Sequence, residues 1–149
     1  MNVFQVTPIG FIRCAYTDRS QIPKGLGAEH HAEGFLEILP EFKEGLKDIE
    51  GFSHLFILWI FHQAEGYDLI ATPPTDNLPH GVFATRSPQR PNPVGLTVVE
   101  LLSREDNLLH LRGIDMIDGT PVIDVKPYLS SIPPERIKRG WLAEAEKRS

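Results

Sequence analysis

The stretch FSHLFILWIFHQ, residues 52–63, decides how the rest of this chain is read. It is apolar almost throughout and too aromatic for a surface helix, so it reads as a strand buried on both faces. Its apolar run, LFILWIF, is far too short to cross a membrane. On its N-terminal side lies PEFKEGLKDIEG, 40–51. Pro40 suits a first helical position, Gly51 the residue just past an end, and Phe42, Leu46 and Ile49 share a face, which predicts a helix of about two to three turns. Further out, GFLEIL (34–39) and VFQVTPIGFIR (3–13, interrupted near Pro8) read as strands, separated by the polar loop AYTDRSQIPKGLGAEH, 15–30.

On the C-terminal side DLIAT (68–72), GVFAT (81–85), VGLTVVELLS (94–103), NLLHLRGIDMI (107–117) and PVIDVKPYL (121–129) read as strands. PPERIKRGWLAEAEKR, 133–148, predicts a helix opened by Pro134. Strands dominate and the helices do not alternate with them, which excludes a Rossmann-type dinucleotide fold. The expected class is mostly β (α+β): a single-sheet mixed β-barrel with a few peripheral helices, which hides many apolar strands at once. The 149 residues fit a single domain over 1–149.

Composition narrows the function. The single cysteine, Cys14, allows no internal disulfide and fits a reducing compartment. The N-terminus lacks the basic and apolar segments of a signal peptide, so the expectation is a soluble cytoplasmic protein. A net charge of −5 argues against a general nucleic-acid coat but leaves room for a local basic patch. GxGxxG, P-loop, GxSxG and HExxH signatures are all absent from the sequence.

Two segments stand out. In ATRSPQRPNPVGL, 84–96, the prolines hold Ser87, Arg90 and Asn92 extended, so the side chains of Arg86 and Arg90 sit on a stiffened loop. That suits bidentate recognition of a carboxylate or phosphate. It equally suits a rigid strand connection with solvated arginines. In GIDMIDGTPVIDVKPY, 113–128, Asp118-Gly119 marks a tight turn. Asp124, Lys126 and Tyr128 then alternate along one face of the following strand. Asp124 and Lys126 read either as ligand contacts or as a structural ion pair. His54 and His62 lack the further ligands a metal site needs, and no metal is expected.

Taken together, PIGFIRCAY, EGFSHLFILWIFHQ, GVFATRSPQRPNPVGL and DMIDGTPVIDVKPYL resemble the TsaA/TrmO-like family over about residues 6–130. The resemblance implies a non-Rossmann β-barrel, usually a homodimer. It implies transfer of a methyl group from S-adenosylmethionine to N6 of threonylcarbamoyl-adenosine beside the anticodon of threonine-type tRNAs. Carried over by position, it implies cofactor contacts at Cys14, Ala15, Tyr16, His62, Gln63, Arg86, Leu96, Asp118, Gly119, Thr120 and Pro121. Asn92, Asp124, Lys126 and Tyr128 would surround the reacting amine as the catalytic set, and Lys24, Arg90 and Arg136 would meet tRNA. Two departures fall on regions expected to meet tRNA. Ile22-Pro23-Lys24-Gly25 stands where many members have Ile-Pro-Arg-Gln, and longer members carry a further C-terminal domain. Alternative readings are a methyltransferase of this fold acting on a small molecule, or a non-catalytic S-adenosylmethionine-binding module.

Overall fold

A computed structural model describes residues 1–24 and 30–148. Six strands close into a barrel: β1 (Gly10–Arg13), β2 (Glu33–Ile38), β3 (His54–Ile60), β6 (Val94–Glu105), β7 (Leu108–Arg112) and β8 (Pro121–Pro127). The order around the barrel is β1-β2-β7-β6-β3-β8, with β8 returning to β1. The two remaining strands, β4 (Ile70–Ala71) and β5 (His80–Gly81), form a separate two-stranded ribbon.

The strand pairs of the barrel are antiparallel, so the sheet is uniform rather than mixed. Register shifts interrupt β3–β8 between Leu58 and Trp59 and β6–β7 between Leu101 and Ser103. Such bulges bend a sheet sharply enough to close it.

Side-chain alternation separates an inside from an outside. Leu55, Ile57 and Trp59 of β3 point inward with Val99, Leu109, Leu111, Ile12, Leu36 and Val122. Burying each such aliphatic side chain contributes about 1.5–3 kcal/mol. The outward residues of β3, Phe56, Leu58 and Ile60, are only half-buried. Their neighbours across the ladder, Val98, Leu96 and Val94, are exposed. The expectation that β3 is buried on both faces is therefore corrected: among the described residues no helix covers the outer wall, and its apolar residues form a surface.

Local chemistry trims other expected elements. Pairing of the first strand begins at Ile9, whose N–H donates to Val122; Pro8 before it has no N–H to offer, and Val3, Phe4 and Val6 stay exposed. The helix predicted over 40–51 is two 3₁₀ turns, Pro40–Leu46 and Ile49–Gly51, split where Asp48 takes φ 71°. Residues Val82–Ala84 also form a 3₁₀ turn instead of a strand, closed by the Thr85 hydroxyl on the Val82 carbonyl. The strand expected through 117 stops at Arg112. At the C-terminus a turn at Pro134–Arg136 precedes the helix α1 (Trp141–Arg148). No helix among the described residues is long and apolar enough to cross a membrane.

Candidate active site

Antiparallel closure sends the ends of β1, β3 and β7 and the starts of β2, β6 and β8 to one mouth of the barrel. The segments that leave or enter there are Cys14-Ala15-Tyr16, His62-Gln63, the proline loop 86–93 and Gly113–Thr120. Separate stretches of sequence thus meet without any one of them being long.

Asp118 joins two of these segments. Its Oδ1 accepts the Cys14 N–H at 3.0 Å, and its own N–H donates to the Tyr16 carbonyl at 2.7 Å. Gly119 follows with φ 83°, a conformation that a side chain strains, and its N–H donates to the Ile12 carbonyl. The expected tight turn is present, but it is clasped against β1 and does not join a hairpin. Thr120 is buried at the edge of the cavity described below, with its hydroxyl on the Ile117 carbonyl at 2.7 Å. Pro121 opens β8. The Cys14 thiol donates to the Met116 carbonyl at 3.3 Å. Burial raises its pKa, outweighing the Tyr16 backbone contact, and Asp118 raises it further. A protonated, hydrogen-bonded thiol is a poor nucleophile.

His62 and Gln63 are exposed and line a cavity of about 170 Å³ with Arg19, Trp59, Phe61, Pro88, Gln89, Met116 and Ile117. Its wall is aromatic. Trp59 and Phe61 lie 4.3 Å apart between ring centroids, and the Arg19 guanidinium sits 5.0 Å over the Phe61 ring. A Cβ at Gly95 would overlap the indole of Trp59, so only glycine leaves the ring its place. Nothing in the apolar stretch 52–63 singles out Trp59 as a cavity wall. Its inward parity points to a core, and only barrel closure shows that it is the last inward residue before the mouth.

Arg86 is exposed at the start of the proline loop. Arg90 turns back on the same loop, donating from Nη1 to the Thr85 carbonyl at 2.8 Å and to that of Ser87 at 3.2 Å. It therefore braces the loop that carries Arg86. Asn92 is exposed beside the start of β6. Lys24 and Arg136 are exposed, with Lys24 at the edge of the described residues; the remainder of its expected loop, 25–29, lies outside them.

The other expected residues sit elsewhere on the molecule. Leu96 is 48% exposed on the outer wall. Leu58 pairs with Leu96 on one side and with Asp124 on the other, so all three share that wall. Asp124 Oδ2 pairs with Lys126 Nζ at 3.2 Å, while its Oδ1 accepts the Val125 N–H at 2.9 Å. Tyr128 packs edge-on against Phe56 at 5.2 Å. Asp124 also borders a larger cavity of about 480 Å³ towards the opposite mouth, between β8 and the 3₁₀ turns. Within one chain, then, the expected cofactor contacts gather at the mouth, with Leu96 and the Asp124–Lys126–Tyr128 set on the outer wall. Among the described residues no group of His, Cys, Asp or Glu could hold a metal ion.

A family model described as the tRNA-methyltransferase O N-terminal domain matches residues 11–133. A probable S-adenosyl-L-methionine-binding protein of Pyrococcus abyssi is 44% identical over 91% of this chain and 74% of its own length. A tRNA (adenine(37)-N6)-methyltransferase of Escherichia coli (strain K12) is 40% identical over 87% of this chain and 59% of its own length. A crystal structure of TrmO superposes with a TM-score of 0.78 at 38% identity, over 92% of this chain and 64% of that one. Against the Escherichia coli relative and the solved structure, the chain spans about three fifths of the length. On the family match and on the barrel it shares with the solved structure, this chain belongs to the family of the tRNA-methyltransferase O N-terminal domain.

Proposed function

We propose that this chain is an S-adenosylmethionine-dependent tRNA methyltransferase acting on N6 of threonylcarbamoyl-adenosine next to the anticodon, in the cytoplasm and as a homodimer. The observation that carries the reading is the meeting of four sequence-distant segments at one mouth, three of which line an aromatic-walled cavity. The donor set fits the cofactor. Trp59 and Phe61 suit a sulfonium or a purine, and an exposed Arg86 suits a carboxylate. The buried His30 Nδ1 has no hydrogen-bond partner in the free chain.

The cofactor supplies a methyl group already activated on a sulfonium. Cys14, Ala15, Tyr16, His62, Gln63, Arg86 and the Asp118–Pro121 turn bind and orient it, and the rest of the catalysis is alignment with the acceptor. No covalent nucleophile takes part, consistent with a protonated Cys14. Asn92, Asp124, Lys126 and Tyr128 orient the adenine amine, with the Asp124 carboxylate accepting the proton released from N6.

Size and placement support the homodimer. A cavity of about 170 Å³ is smaller than the ~300 Å³ or more of ordinary small-molecule sites. Leu96 lies on an exposed apolar wall with Val94 and Val98. A second copy laid on that wall would add the missing side of the site and bring an Asp124–Lys126–Tyr128 set to it. Lys24 and Arg136, with Arg19, would then line up from two subunits against an anionic backbone despite the net charge of −5.

The test is transfer of labelled methyl groups from S-adenosylmethionine to threonine tRNA bearing the threonylcarbamoyl group. Label in that RNA and none in tRNA lacking the modification is the expected result. Cofactor binding without transfer would favour the module reading, which the names of the archaeal relatives also suit. Transfer to small acceptors, with no salt-dependent tRNA affinity, would favour the small-molecule reading.

A further inference from the structure

One half-buried carboxylate beside the mouth has no part in the reading above. Asp115 lies in the inward-turning segment between β7 and β8, flanked by the buried Ile114 and Met116. Its Oδ1 accepts the Thr97 hydroxyl at 2.6 Å, and the same Thr97 oxygen accepts the Trp59 indole N–H at 3.0 Å. The three groups form a column from the β7–β8 segment, through β6, to the aromatic wall of the cavity. Thr97 is buried, so its hydroxyl has no water to exchange with and must both donate and accept within the column. On its other side Asp115 lies within electrostatic reach of Arg86 and His30.

We propose that Asp115 is a positioning residue of the barrel-mouth site: through Thr97 it fixes the indole of Trp59 that walls the cavity. The inference rests on the cofactor reading given above and adds a residue to it. A structural explanation alone fits poorly. A half-buried carboxylate is a costly way to hold a threonine hydroxyl, because desolvation disfavours its ionised form. Burial pushes the Asp115 pKa up against the opposing pull of Thr97, His30 and Arg86. An amide of the same shape avoids that penalty but accepts the Thr97 hydroxyl without charge assistance, so it holds the column less firmly.

The test uses the full chain with Asp115→Asn, Thr97→Val and Thr97→Ser, each also made with Trp141→Phe so that Trp59 is the only tryptophan. Three quantities are measured: S-adenosylmethionine affinity by calorimetry, the melting temperature of the free protein, and the near-UV circular dichroism of Trp59. Asp115→Asn should weaken cofactor binding about tenfold, the size of one charge-assisted contact, while the melting temperature stays level or rises. Thr97→Val should weaken binding similarly and diminish the Trp59 signal, and Thr97→Ser, which keeps the hydroxyl, should restore both. Unchanged affinity in Asp115→Asn overturns the proposal. So does a melting temperature that falls in step with affinity, which would mark Asp115 as structural only. If the unsubstituted chain binds no cofactor, the site reading fails by itself. The Trp59 signal of the free protein then still judges the column, and a signal unmoved by Thr97→Val and Asp115→Asn sinks it.

Discussion

At the scale of single residues, the mouth is held by contacts that leave little latitude. Gly95 lies under the Trp59 ring, so Gly95→Ala must push the indole from its place. Overpacking of this kind costs about 1–3 kcal/mol. The expected result is a lower denaturation midpoint and a weakened Trp59 near-UV signal, and an unchanged midpoint would show that the ring has room to move. Arg86 is free to meet a ligand carboxylate because Arg90, with its Nη1 on two loop carbonyls, does the bracing. Arg86→Ala should therefore weaken S-adenosylmethionine binding by about 1–3 kcal/mol in calorimetry with the fold intact. Arg90→Ala should instead loosen the loop, detectable as faster proteolysis between residues 86 and 93. The two arginines look alike in ATRSPQRPNPVGL, and no local rule says which one faces inward on its own loop.

At the scale of elements, the C-terminal helix controls the approach to that loop. Trp141 stacks on His80 with centroids 4.0 Å apart and donates from Nε1 to the Ala84 carbonyl at 2.8 Å. His80 in turn pairs with Asp76 at 2.8 Å, and Leu142 and Ala145 are buried beneath the helix. Ala84 stands two residues before Arg86, so α1 anchors the entry to the proline loop. Trp141→Ala removes one stack and one hydrogen bond, together about 1–3 kcal/mol. Hydrogen exchange in residues 80–86 should rise in this variant while the barrel strands keep their protection, and uniform loss of protection would mean α1 is part of the global fold. The helix expected over 133–148 is present only from Trp141, and Pro134 opens a separate 3₁₀ turn. Its docking partner is some 60 residues away in the chain, which propensity cannot reach.

At the scale of the whole molecule, the outer wall and the titrating carboxylates set the behaviour. Val94, Leu96 and Val98 leave an apolar face exposed on a closed barrel, and such faces mark interaction surfaces. Val98→Asp should shift sedimentation from dimer to monomer without lowering monomer stability, because the side chain points outward. A monomeric parent protein would remove the homodimer from the proposal. The carboxylates divide by sign. Hydrogen bonds from Ser20 hold Asp18 low, and the Arg104 hydrogen bond holds Glu50 low. For Asp76 burial pushes upward, but the Leu78 N–H and His80 outweigh it and leave it low. Their contributions are present above the ordinary carboxylate pKa of about 4 and vanish as pH falls through the lower folded values. Asp115 runs the other way: its folded pKa is raised, so its penalty grows as pH rises above the ordinary carboxylate value of about 4 and is complete above the folded value. The melting-temperature difference between Asp115→Asn and the parent should therefore be larger at pH 7 than at pH 4, and a difference independent of pH would contradict the raised pKa.

The alternation of apolar residues, the turn at Asp118-Gly119 and the proline loop are local features, and the chain's own order of side chains determined them: a β-rich fold, strands close to their observed positions, and two loops dense in chemistry. Tertiary structure decided which of those residues meet. Antiparallel closure brings residues 14–16, 62–63, 86–93 and 113–120 to one mouth. Parity along β6 and β8, reset by the bulge between Leu58 and Trp59, turns Leu96, Asp124 and Lys126 to the outer wall. The same closure makes Trp59 a cavity wall and gives Asp115 its column through Thr97. The physical reason is that register is a property of strand pairs distant in sequence, and shifting it by one residue moves every side chain to the opposite face.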